Sequence, residues 1–125
     1  MTEPHPRLAA MTLFITDKSA SAAFYRALLD SEPIHEDEDS LVFRCGRVMV
    51  NLLLAKAVPE LIDPALPSEA GSTAVYTIPC KDVDARVQML TEAGLTALNG
   101  PVDRPWGIRT ASYQDPAGHI WELAQ

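Results

Sequence analysis

The stretch Trp106-Gly107-Ile108-Arg109-Thr110-Ala111-Ser112-Tyr113-Gln114-Asp115-Pro116-Ala117-Gly118-His119-Ile120-Trp121-Glu122-Leu123 reads as a β-hairpin. Alternating residues run into an Asp-Pro-x-Gly turn, and a second alternating strand leaves it. Proline presets φ and glycine supplies a positive φ, so the turn chemistry is explicit. The returning strand carries one carboxylate, Glu122, between bulky apolar neighbours. An ionised carboxylate in that setting needs a metal, a partner or water.

Upstream of the hairpin, Thr73–Ile78 reads as a strand. Asp82 or Asp84 then caps a helix with an apolar face of Val83, Val87 and Leu90, which Gly94 stops. Further strands are predicted near Thr96–Leu98, Ile108–Tyr113 and His119–Ala124. The first half has the same order. A strand at Leu8–Thr16 is followed by Asp17 or Ser19 as a helix cap. Ala20, Ala23, Phe24, Ala27 and Leu28 fall at the spacing of one apolar helical face. Strands near Ile34–Glu36, Leu41–Cys45 and Val48–Leu54 complete it, with Gly46 at a turn. Pro59, Pro64 and Pro67 exclude a central strand from residues 55–72 and leave room for one helical turn near Glu60–Ile62. The chain therefore reads as one domain, residues 1–125. Module one covers about residues 8–54, a linker 55–72, and module two about 73–125.

At 125 residues the chain has the length of one compact domain. Its net charge of −7 argues against a nucleic-acid partner and leans toward cationic ligands. No apolar run approaches the roughly 20 residues of a membrane helix, so no membrane association is expected. Residues 1–7 lack the apolar core of a secretory signal, and a cytoplasmic location is the expectation. The run Glu36-Asp37-Glu38-Asp39 reads as a solvated hairpin tip. Cys45 and Cys80, without C-x-x-C spacing, read as reduced apolar fillers.

Three groups of residues carry a family resemblance: Asp17 with Phe24-Tyr25-Arg26-Ala27-Leu28-Leu29, Asp82-Val83-Asp84-Ala85 with Gly94, and Asp115-Pro116-Ala117-Gly118 with Trp121-Glu122-Leu123. Together they resemble the vicinal oxygen chelate superfamily of glyoxalase I, bleomycin-resistance proteins, fosfomycin-resistance enzymes and extradiol dioxygenases. The resemblance implies an α+β fold in which two tandem βαβββ modules form a curled mixed sheet around a cleft, with helices on the outer face. Metal-dependent members place His, Gln or Glu at four inner-strand positions, which fall here on Ala10, Asn51, Val75 and Glu122. Only Glu122 matches. Alanine and valine offer no donor, and an asparagine amide is a poor ligand for zinc, nickel or iron. His5 in the N-terminal tail, His35 beside the acidic turn and His119 on the face opposite Glu122 read as surface residues. No cofactor is expected, a divalent metal being the alternative.

Period-two alternation, set by the resemblance, assigns faces. Ala10, Thr12 and Phe14 face the cleft, while Met11, Leu13 and Ile15 pack under the helices. Met49, Asn51, Leu53, Val75, Thr77, Thr110, Ser112, Ile120 and Glu122 also face inward. Trp106 lies in a Pro-Trp-Gly loop that resembles a segment of antibiotic-binding relatives, and is expected to touch ligand or partner chain. Arg109 points outward into an ion pair. Glu122, read as a leftover ligand, is expected to bond Asn51 or water. The candidate ligand-binding set is Thr12, Phe14, Met49, Asn51, Thr77, Trp106, Thr110, Ser112 and Glu122.

The resemblance and this wall imply a metal-independent small-molecule binding protein of the bleomycin-resistance type, taking a partly aromatic ligand and forming a homodimer. The alternative is a divergent lyase, isomerase or dioxygenase with a non-standard metal site or with Glu122 as general base. A protein-interaction module is the second alternative.

Overall fold

A computed structural model describes residues 7–62, 64–65 and 74–125. The expected strand start at Thr73 and most of the linker after Ile62 lie outside them. β1 (Ala10–Ile15), α1 (Lys18–Leu29), β2 (His35–Glu36), β3 (Ser40–Cys45) and β4 (Val48–Leu54) make the first module. A 3-10 turn (Ala55–Ala57) and α2 (Pro59–Ile62) follow, with Pro59 at the helix start, where its missing N–H costs nothing. β5 (Val75–Pro79), α3 (Val83–Glu92), β6 (Asn99–Asp103), β7 (Arg109–Gln114) and β8 (Ile120–Ala124) make the second. Among the described residues no helix is long and apolar enough to cross a membrane.

The fold is α+β: the described residues form two four-stranded mixed sheets, ordered β1-β4-β3-β2 and β5-β8-β7-β6, and close no barrel. The orders are equivalent, so the repeat suggested by element order is real in space. In each sheet the first strand pairs in parallel with the last strand of its module, and the other pairings are antiparallel. Asp17 and Asp82 are the helix caps, accepting from the amides of Ala20 at 2.9 Å and Ala85 at 3.1 Å. The Asp-Pro-x-Gly turn forms as read, with Gly118 at φ 98° and its amide bonded to the Asp115 carbonyl.

Two expectations about the elements are corrected. The strand predicted at Thr96–Leu98 lies instead at Asn99–Asp103, carrying Gly100 and Pro101. β6 is a sheet edge, where proline's missing donor faces no neighbour, and its register shifts between Asn99 and Val102. The buried face of α1 is Ser21, Ala22, Phe24, Tyr25 and Leu28, while Ala23 is exposed. Phe24 and Leu28 were expected inside; the rest of the face turns to admit Tyr25.

Tyr25 explains that rotation. Its hydroxyl donates to Asp115 Oδ2 at 2.6 Å and accepts from Trp121 Nε1 at 3.0 Å, linking α1 to the hairpin of the other module. Asp115 Oδ1 meanwhile accepts from the amides of Ala117 and His119. One carboxylate therefore closes the turn and docks the modules. Burial, reinforced by the charge of Asp115, pushes the Tyr25 phenol far above its ordinary range, so it stays a donor. Phe24, Phe43 and Trp121 pack around it in tilted and edge-on contacts, and Tyr76 packs against Trp121. Arg86 of α3 donates to the Leu28 carbonyl at 2.8 Å, placing a cation at the C-terminal end of α1.

His119 also ties the modules. It is half-buried, and its Nε2 lies 2.9 Å from the carbonyl oxygen of Phe14. The expectation of a surface histidine is thus corrected: the turn brings the ring across to β1.

Candidate functional site

The helices cover one face of each sheet and leave the other open. Alternation follows the sequence reading on β1 and β4: Leu13, Ile15, Val50 and Leu52 are buried, whereas Ala10, Thr12 and Met49 are exposed. The pairing sets the open-face residues in rows. Ala10 lies beside Met49, Thr12 beside Asn51, and Phe14 beside Leu53. Asn51 Nδ2 donates to Thr12 Oγ1 at 3.4 Å, and Asn51 Oδ1 is buried without a partner among the described residues. Phe14 is half-buried.

Beside this row a groove of about 490 Å³ is lined by Asp37, Glu38, Asp39, Ser40, Asn51, Leu53, Ala57 and Leu61. The acidic run is a hairpin tip, as read, but one that rims a groove. Asp37 Oδ1 accepts from the amides of Asp39 and Ser40 and from the Ser40 hydroxyl. These bonds, the Asp39 amide foremost, hold its carboxyl below the usual carboxylate range. Lys18 pairs with Glu36 at 3.0 Å and donates to the Asp37 carbonyl, and Lys56 pairs with Asp39 at 3.3 Å. The tip is thus partly neutralised from two sides.

On the second sheet Thr77, Glu122, Ser112 and Asn99 lie in one row across β5, β8, β7 and β6. Thr77 Oγ1 donates to Glu122 Oε1 at 2.9 Å. Of the two partners expected for Glu122, Asn51 or water, Asn51 is turned to Thr12 instead: Asn51 and Glu122 each pair within their own sheet, where strand neighbours are adjacent. Val75 is exposed, and Ser112 is buried.

Thr110 is fully buried, beneath a residue that sequence reasoning missed. Arg104 Nε donates to Thr110 Oγ1 at 2.9 Å, and its Nη2 donates to Asn99 Oδ1 at 2.9 Å. The Trp106 ring centre lies 6.0 Å from the guanidinium carbon, and Trp106 itself is 69% exposed. The missed signal was the loop Arg-Pro-Trp-Gly as a unit: Arg104 N bonds the Ile108 carbonyl and Gly107 N the Arg104 carbonyl, so the loop folds back over β7.

Arg109 points the other way, as expected from parity. It forms a two-bond fork with Asp84 on α3, both at 2.9 Å, and a third bond to Asp103 at 3.0 Å. The hydrogen bonds from Arg109 hold the Asp84 carboxyl below its usual range, and those from Asp84 and Asp103 raise the guanidinium further. A depressed carboxyl pKa stabilises the fold above the unfolded value, and that contribution disappears as pH falls through the folded value. Compared by urea unfolding, wild type should exceed Arg109→Met by a constant margin from pH 7 down to about 5. The margin should shrink below about pH 4. Because these groups are exposed, it should also shrink in 1 M salt.

The donor chemistry of the four family positions does not fit a metal. Ala10 and Val75 have no ligating atom, Asn51 is turned to Thr12, and Glu122 holds Thr77. Among the described residues no group of three or more His, Cys, Asp or Glu could hold a metal ion. Cys45 and Cys80 are free and half-buried, and burial pushes the Cys45 thiol up.

The comparisons agree with this architecture. An uncharacterized protein of Mycobacterium bovis is 28% identical over 120 residues, covering 90% of this chain and 79% of that protein. The crystal structure of a glyoxalase/bleomycin resistance protein/dioxygenase from Nocardioides superposes with a TM-score of 0.82 at 25% identity, over 98% of this chain and 85% of that one. A lactoylglutathione lyase from Agrobacterium tumefaciens shares the fold, with a TM-score of 0.74 at 20% identity over 98% and 94% of the two chains. The family profile matches residues 7–123, and with the duplicated sheet order and capped helices already described, the chain belongs to the Glyoxalase/Bleomycin resistance protein/Dioxygenase superfamily.

Proposed function

We propose that this protein binds a small, partly aromatic molecule on the open faces of its sheets, without a metal. The observation that carries this reading is the composition of those faces. Phe14, Met49 and Leu53 stand beside Thr12 and Asn51, and Val75 and Ile120 stand beside Thr77, Ser112 and Glu122. A mostly apolar wall with a few orienting polar groups is the usual make-up of a ligand pocket. Three of the four positions where relatives ligate metal lack a suitable donor. Trp106 and Thr110 complete the site through Arg104.

A second copy of the chain closes the wall in this reading. Leu8, Met49 and Val75 are 61%, 38% and 56% exposed, and burying apolar surface of that kind favours association. Sedimentation equilibrium should give twice the chain mass of 13.6 kDa.

Thermal-shift screening of chelator-treated protein tests the binding claim. Aromatic compounds should raise the melting temperature, since a ligand at 100 times its Kd adds about 2.7 kcal/mol. The reading is overturned if no hydrophobic or aromatic compound stabilises the protein. It also fails if stabilisation requires a divalent metal and is lost in Glu122→Ala.

A further inference from the structure

We infer that Arg104 and Trp106 form a recognition site for the carboxylate of an aromatic acid, set on the open face of the second sheet. The inference rests on the binding role proposed above and names the ligand class.

The side chain of Arg104 is positioned from both ends. Its Nε donates to Thr110 Oγ1 and one Nη2 proton to Asn99 Oδ1, each at 2.9 Å. A guanidinium carries five N–H donors. Three therefore remain without a protein partner among the described residues, including both on Nη1. Two neighbouring donors of this planar fork match the two oxygens of a carboxylate.

The charge is likewise uncompensated. No ion pair involves Arg104 among the described residues. The neighbouring carboxylate, Asp103, is held on the opposite side by Arg109 at 3.0 Å. In a chain of net charge −7, an unpaired, half-buried arginine that is hydrogen-bonded into place is a specific cation rather than part of a basic surface. Electrostatics at this site therefore oppose the cationic preference expected from net charge.

Trp106 supplies the aromatic half. Its ring centre lies 6.0 Å from the guanidinium carbon and the residue is 69% exposed, so a ring attached to the bound carboxylate has an indole against which to pack. Glu122 fixes the ligand's direction. It stands on the same face, one row from Thr110, with Oε1 taken by Thr77 and Oε2 without a protein partner among the described residues. A bound acid keeps its carboxylate at Arg104 and turns a neutral or donor end toward Glu122.

The chain has two tryptophans, and Trp121 is buried at 2% exposure, so quenchable emission reports chiefly on Trp106. Benzoate should quench that emission saturably, and benzamide, its neutral counterpart, should bind at least tenfold more weakly. Arg104→Gln should weaken benzoate at least tenfold and remove its advantage over benzamide. Arg104→Lys, which keeps the charge without the fork, should fall between. Calorimetry on Trp106→Leu should show weaker benzoate binding at an unchanged melting temperature.

Equal binding of benzoate and benzamide, or an advantage that survives in Arg104→Gln, would overturn the inference while leaving aromatic binding intact. Failure of every aromatic compound to bind would sink both readings. A loss in Arg104→Gln accompanied by a lower melting temperature counts as support only if Arg104→Lys keeps the stability and still discriminates less than wild type.

Discussion

Tyr25→Ala should unfold about 10–20 °C below wild type. The side chain is fully buried, and its truncation leaves a cavity in the aromatic cluster of Phe24, Phe43 and Trp121. Deletions of this size cost about 3–5 kcal/mol, and a domain of this length loses roughly 3–5 °C per kcal/mol. Tyr25→Phe separates packing from polarity. It keeps the ring but strands Asp115 Oδ2 and Trp121 Nε1, which both meet the hydroxyl. Its expected cost is about 1–3 kcal/mol, because a buried polar group left unpaired loses its full desolvation energy. Urea unfolding followed by far-ultraviolet and near-ultraviolet circular dichroism checks both values. A Tyr25→Phe variant within about 0.5 kcal/mol of wild type would mean that water substitutes for the hydroxyl, and that Tyr25 docks the modules through the packing of its ring.

Gly100→Ala should be comparably damaging, for a backbone reason. A Cβ built on Gly100 would stand 2.4 Å from the carbonyl oxygen of Thr110 and 2.9 Å from Ala111 Cα, and φ there is +82°. Neither neighbour is the tip of a flexible side chain. β6 must therefore move away from β7 to admit one methyl group. Overpacking of this kind, together with the strained φ, should cost about 3 kcal/mol or more. Asn99 would then leave its place beside Ser112, and Arg104 would lose its Nη2 acceptor. Hydrogen exchange should show protection lost first in β6. The preference for benzoate over benzamide should fall with it, even below the melting transition. An alanine variant as stable as wild type would contradict the close approach of the two strands.

The two substitutions act on different kinds of information. The Asp-Pro-x-Gly turn, the aspartate caps at Asp17 and Asp82, and the face assignment of β1, β4 and β8 were legible because each depends on residues a few positions apart. Period-two alternation needs only the strand itself. The same economy explains the failures. At β6, the predicted strand near Thr96–Leu98 stopped short of Gly100 and Pro101, yet an edge strand tolerates both, and edge position is a property of the whole sheet. On α1, counting apolar residues put Ala23 inside and left out Tyr25. The helix rotates because an acceptor 90 residues away, Asp115, accepts a hydrogen bond from the phenol.

The candidate site divides along the same line. Its rows of Thr12, Asn51, Thr77, Ser112 and Glu122 follow from alternation once the strands are paired. The poor fit to a metal was visible in Ala10 and Val75, because side-chain chemistry does not depend on folding. Arg104 was invisible: a loop arginine carries no periodic signal, and its importance comes from Thr110, Asn99 and Trp106 meeting it.

From its sequence alone, this protein had its elements, their order, the two repeated modules and the chemical character of each strand face determined, since short-range sterics and hydrophobic alternation govern those. Beyond the helix caps and the turn, the tertiary structure alone decided which polar atoms pair. It set Tyr25 against Asp115, His119 against Phe14, Thr77 against Glu122 and Arg104 over Thr110. The first three bonds need angstrom-level approach between groups far apart in the chain, and the fourth needs a loop folded back over its strand; only the packed structure sets either approach.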